Sequence, residues 1–113
     1  MSSPAEHTPA EVRALLDGNP DVQLVDVREA HEHEAGAIAG ARHIPLGELT
    51  QRAAELDQGK PVVFYCRAGS RSAMATEAFR ASGWDARNMT GGILAWVEQG
   101  LPLSDPDGVV AEP

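Results

Sequence analysis

Two short runs constrain this chain more than anything else in it: VQLVDV at residues 22 to 27 and VVFYC at residues 62 to 66. Both are rich in β-branched or aromatic residues and largely apolar, without the strict polar/apolar alternation of a strand that has one wet face. They read as strands covered on both sides, which is the habit of a parallel sheet with helices against each face.

The segments around them fit that scheme. Thr8 can cap a helix with Pro9 at its first position and Glu11 at its third, the capping-box arrangement, and Val12, Leu15 and Leu16 give it an apolar face before DGNPD ends it. REAHEHEAG holds a turn or two of helix, and a short strand fits residues 41 to 44 before Pro45. Leu46, Leu49, Ala53 and Leu56 recur at helical spacing up to Gly59. After the second strand, Ala73, Met74, Ala78, Phe79 and Ala81 mark a helix that Gly83 stops. WDARNM is a brief strand, and TGGILAWVEQGLP starts a last helix behind two glycines. Strands alternating with helices predict an α/β fold of three layers, with a mostly parallel central sheet and helices on both faces.

With 113 residues there is room for one packed core. The expected division is a loose start over residues 1–7, one domain over 8–103 and a poorly held acidic tail over 104–113. No internal repeat or interdomain linker is visible. Nine basic residues against seventeen acidic ones give a net charge of −8, which disfavours nucleic acid and anionic membrane as partners. A single cysteine allows no internal disulfide, the start MSSPAEHTPAEVR lacks a basic and apolar leader, and no run is long enough to span a bilayer. A cytoplasmic protein is expected.

Cys66 stands where the second strand ends and a helix begins. In open α/β sheets ligands gather at such ends, and the helix N-terminus directs backbone N–H groups and a positive dipole toward the loop. A cysteine there is biased toward thiolate. Gly69 frees the backbone to aim amides at one point, and Arg67 and Arg71 supply guanidinium groups suited to an oxyanion, against the field of an acidic molecule. The bland alternative is a small buried hydrophobe, a turn glycine and two solvated arginines. The coincidence of strand end, helix start, glycine and arginines favours the reactive reading. Cysteine-dependent phosphatases have five residues between Cys and Arg; here four separate Cys66 from Arg71, and Ser72 holds the next position. The loop suits one extra sulfur atom better than a phosphoryl group.

CRAGSRS resembles an active-site loop of the single-domain rhodaneses, a family of sulfurtransferases. LVDVRE at 24 to 29, AGAIAGARHIPL at 35 to 46 and MTGGILAWVEQGLP at 89 to 102 resemble other stretches of that family, in its order. Ala37, Ile38 and Ala39 depart from it where His, Ile and Pro are common.

The resemblance implies a rhodanese-like fold and a two-step sulfur transfer with no cofactor and no metal. Cys66 would take sulfane sulfur from a small anionic donor such as thiosulfate and hold it as a persulfide. A thiol, or cyanide in an assay, would accept it. The backbone amides of Arg67, Ala68, Gly69, Ser70, Arg71 and Ser72 would steady the persulfide, and Arg67 and Arg71 would hold the donor. Asp26 and Arg28 would organise charge near the site. A relay role stays open, in which a cysteine desulfurase loads Cys66 and a protein partner receives the sulfur; a phosphatase or arsenate reductase is disfavoured by the short loop.

Other features carry less. Alternating residues His31, Glu32, His33 and Glu34 diverge on a helix, so they read as a solvated face rather than a metal site. His43 reads as incidental, Trp84 and Trp96 as packing, and Gly91 with Gly92 makes no nucleotide fingerprint.

Overall fold

The computed structural model describes residues 4–113. Its elements in chain order are β1 (Glu6–His7), α1 (Pro9–Gly18), β2 (Gln23–Asp26), α2 (Ala30–Ala35), β3 (Arg42–His43), α3 (Leu49–Arg52) between two short 3-10 turns, β4 (Val62–Tyr65), α4 (Ser70–Ala81), β5 (Ala86–Met89) and α5 (Gly92–Glu98). The five strands form one sheet in the order β1-β5-β4-β2-β3, every pair parallel. That is the α/β architecture expected.

Each main element follows from its residues. Thr8 caps α1 as a reciprocal box, its Oγ1 accepting from the Glu11 amide at 3.2 Å while the Thr8 amide donates to Glu11 Oε1 at 2.8 Å. All four residues of β4 are buried, as a central parallel strand requires. Its side chains alternate between two cores. Val62, Phe64 and Cys66 face one, with Val25, Val27, Leu49, Ala75 and Phe79; Val63 and Tyr65 face the other, with Val12, Leu24, Met89, Ile93 and Trp96. Trp96 is a packing residue with its indole N–H donated to Pro102 O at 2.9 Å, and Trp84 packs on the first core.

The topology fixes where a site can form. From β2 the chain goes through α2 to β3 on one side of the sheet order, and from β4 through α4 to β5 on the other. The adjacent carboxyl ends of β2 and β4, with Asp26 beside Tyr65, are therefore the switch point of the sheet.

Both ends of the chain differ from expectation. Of the start expected to be loose, residues 1–3 lie outside the described residues, but Glu6 and His7 form β1 and pair with Asn88 and Met89. The segment 104–113 is held back against the domain. Ser104 donates its amide to Ala37 O at 2.8 Å, Val109 donates to Ala35 O at 2.9 Å, and Val110 packs on the second core. These backbone bonds were illegible because an acidic stretch whose apolar residues, Val109, Val110 and Ala111, stand side by side has no period. No helix among the described residues is long and apolar enough to cross a membrane.

Candidate active site

Cys66 follows directly on β4 and is 1% exposed, and its sulfur is the focus of the loop. The Gly69 amide donates to Sγ at 3.1 Å and the Ser72 hydroxyl lies 3.3 Å from it. Gly69 takes φ +108°, a left-handed conformation that a side chain resists, and this turn aims its N–H inward as α4 begins. Burial pushes the thiol toward its neutral form. The Ser72 hydroxyl and the backbone N–H groups of Ser72, Gly69 and Arg71 outweigh it, and the thiol pKa is lowered from its ordinary 9.0. The net effect favours the nucleophilic thiolate.

The loop is braced from behind by the glycine doublet before α5 and by Asn88, a residue the sequence did not single out. Gly91 and Gly92, at φ +77° and +63°, let the start of α5 approach so closely that a Cβ on Gly92 would collide with the carbonyls of Cys66 and Arg67. In return the amides of Ile93 and Leu94 donate to Cys66 O at 2.9 Å and Arg67 O at 3.1 Å. The doublet was visible in the sequence; its use as a brace was not. Asn88 on β5 donates Nδ2 to Gly69 O at 3.3 Å and to Glu6 Oε1 at 3.0 Å, so even β1 bears on the loop.

The remaining loop residues divide. Ser72 is fully buried, while Ala68 and Ser70 are exposed. Both arginines already have partners inside the chain. Arg71 donates Nη1 and Nη2 to the two carboxylate oxygens of Glu32 at 2.7 and 2.9 Å. Arg67 donates Nε to Ala111 O at 3.2 Å and pairs through Nη2 with Glu112 at 3.5 Å. The groups on the sulfur are thus amides and a hydroxyl, with the guanidiniums one step away.

Glu32 corrects the picture of α2 as a solvated face, because it is fully buried. Burial raises its carboxyl pKa, but the Arg71 hydrogen bonds, the Glu29 amide and the charge of Arg71 bring it below its ordinary value. The usable clue was the spacing: Glu29 and Glu32 stand as cap and third helical residue, and the Glu29 amide donates to Glu32 Oε1 at 3.1 Å. His43 is not incidental either. It donates Nε2–H to Arg28 O at 2.7 Å and stacks on His33 with ring centroids 4.5 Å apart, while His33 Nδ1 lies 2.8 Å from Asp26 Oδ2.

Asp26 and Arg28 are both fully buried and meet through two parallel bonds, Nε to Oδ1 at 2.9 Å and Nη2 to Oδ2 at 2.7 Å. Burial opposes the Asp26 charge; Arg28 and then His33 overcome it and hold the carboxyl below its usual range. Arg28 also donates Nη2 to Gly36 O at 2.8 Å, and none of these bonds reaches Cys66. The pair fixes the end of β2 and the exit of α2. At the departure around residue 37, the Ala37 carbonyl receives the Ser104 amide, and Tyr65 OH accepts the Ile38 amide at 3.2 Å. Among the described residues, no group of three or more His, Cys, Asp or Glu could hold a metal ion.

A profile of the rhodanese-like domain matches residues 8–99. The chain belongs to the rhodanese-like family. This rhodanese-like chain is 38% identical over 94 residues to a sulfurtransferase of Allochromatium vinosum, covering 82% of this chain and 88% of that one. It superposes on a rhodanese-related protein from Thermoplasma volcanium with TM-score 0.80 at 31% identity, covering 87% of this chain and 95% of that one. It also matches a thiosulfate sulfurtransferase from Pseudomonas aeruginosa, with TM-score 0.81 at 27% identity, over 91% of this chain and 20% of that longer one. Sulfurtransferase chemistry is therefore the family's, and Cys66 is the one cysteine of this sequence.

Proposed function

We propose that this chain is a cytoplasmic sulfurtransferase that moves sulfane sulfur through a persulfide on Cys66. The carrying observation is the convergence of the Gly69 amide and the Ser72 hydroxyl on a thiol whose pKa is lowered. In the first step the thiolate attacks the outer sulfur of thiosulfate. The new bond joins Sγ to that sulfur, the old sulfur–sulfur bond breaks, and sulfite leaves with its electron pair. The persulfide keeps the charge, and the same donors that favour thiolate can stabilise it. An acceptor thiolate, or cyanide, then attacks the outer sulfur and restores the Cys66 thiolate. As Cys66 is the only cysteine, the acceptor is another molecule.

A second reading draws on the arginines. With Arg71 on Glu32 and Arg67 on Glu112, the dianion-holding groups are engaged, which favours a relay loaded by the persulfide of a cysteine desulfurase. Intact-mass measurement separates the two. Incubation with thiosulfate is expected to add the mass of one sulfur, cyanide to remove it, and Cys66→Ala to abolish both. No gain from thiosulfate with rapid gain from a persulfidated desulfurase would leave the relay; no gain from either would overturn the sulfur-transfer reading.

A further inference from the structure

The last ten residues form a strap that runs along α2 to Arg67 of the Cys66 loop. They start from Ala37, where the Ser104 amide is received, and return to α2 at Ala35, which receives the Val109 amide. Gly36 is bare where the strap crosses: a Cβ there would lie 2.5 Å from Val109 O and 2.9 Å from Val109 N. Gly108 is apposed to it, with a Cβ built at 108 falling 3.3 Å from the Gly36 Cα. Val110 then anchors in the second core. Beyond that anchor the strap bridges α2 and the loop. His31 donates Nε2–H to Glu112 O at 2.9 Å, Ala111 O accepts from Arg67 Nε, and the Glu112 carboxylate sits 3.5 Å from Arg67 Nη2.

The anchored part and the tip differ in kind. From Ser104 to Val110 the strap is held by backbone bonds and packing; at the tip its carbonyls accept from His31 and Arg67, and the Glu112 carboxylate, 87% exposed, is held by the ion pair with Arg67. An exposed pair of that length is weak and displaceable. It places a negative charge on the guanidinium of the residue next to the nucleophile.

We infer that Glu112 is a specificity-determining residue: it occupies Arg67 as an internal anion, so that a small sulfur oxyanion has to displace it to reach that guanidinium. Anionic donors are disfavoured relative to neutral reagents of the same size, and the discrimination is carried by charge rather than by closure. The identity of the donor rests on the sulfur-transfer reading above; the charge screen does not.

The probe is alkylation of Cys66 by iodoacetate, an anion, and by iodoacetamide, its neutral analogue, at fixed pH and ionic strength. In Glu112→Gln and Glu112→Ala the iodoacetate-to-iodoacetamide rate ratio is expected to rise about threefold, the scale of an exposed ion pair, with the iodoacetamide rate unchanged. Glu34→Gln removes the same charge from an exposed position on α2 and is expected to leave the ratio where it was. An unchanged ratio in both Glu112 variants, or an equal rise in Glu34→Gln, overturns the proposal. Thiosulfate loading is followed in parallel. If the ratio rises while no variant gains sulfur, the charge screen stands and the thiosulfate reading falls; if the protein gains sulfur while the ratio is fixed, the reverse holds.

Discussion

Arg71 and Glu32 meet in a two-point contact at 2.7 and 2.9 Å, across 39 positions of sequence, with the carboxylate side entirely buried. The pair ties α2 to the first turn of α4, and so closes the far wall of the Cys66 loop onto the β2 side of the sheet.

Removing one partner of such a pair leaves the other uncompensated. Glu32→Ala is expected to destabilise the fold by about 3 kcal/mol, measured as a lowered urea midpoint with an unchanged slope. Since the folded carboxyl pKa lies below its ordinary value of 4.5, the folded chain holds fewer protons than the unfolded chain as acid is added. The stabilisation is therefore present above that value and is lost as pH falls through the folded one. The gap between the native protein and Glu32→Gln should narrow in acid, and a gap that widened would refute the assignment.

The thiol of Cys66 should react as thiolate below the ordinary thiol range. The rate of iodoacetamide alkylation against pH is expected to have its midpoint below 9.0. Ser72→Ala removes the largest of the stabilising contributions, so the midpoint should move upward, with a stability cost of about 1 kcal/mol. Melting curves and rate profiles on one sample separate the two effects.

Gly92→Ala forces a side chain into a left-handed position and against the Cys66 and Arg67 carbonyls. A loss of at least about 2 kcal/mol is expected, read as a lower melting temperature. Gly100, with a similar φ of +79° and nothing within 4 Å of a Cβ, is the control, with only the backbone cost of about 1 kcal/mol.

Asn88 bears on the loop through Gly69 O, and Glu6 steadies Asn88. Asn88→Ala is expected to lower stability by about 1 kcal/mol and to slow Cys66 alkylation at neutral pH, because the Gly69 amide loses its fixed aim. Glu6→Ala should reproduce the slowing weakly; a rate unchanged in both would show the loop to be held without them.

What could be read in advance was whatever repeats or punctuates. The box at Thr8 and Glu11, the unbroken run of β4 and the glycine between Cys66 and α4 are local signals, and each lies in the structure where its chemistry requires. β3 lies inside the short strand expected at residues 41 to 44, whereas β1, two residues long, is too short to show a period and exists because β5 offers partners. Glu32 could not be told from His31 and Glu34 by type; its burial is decided by Arg71, which the sequence places far away. The arginines were read as oxyanion holders, and their carboxylate partners come from α2 and the strap, contacts with no local trace.

Cys66 continues the side-chain alternation of β4, standing in line with Val62 and Phe64 on one core face. The Cys66 sulfur thus has no mounting separate from the hydrophobic interior. A slip of β4 by one residue would turn it toward the opposite layer, and any loosening of that interior would move it relative to the Gly69 amide. Cys66 alkylation is therefore expected to report on an intact core, with the native rate and the fold lost in the same transition on heating or in denaturant.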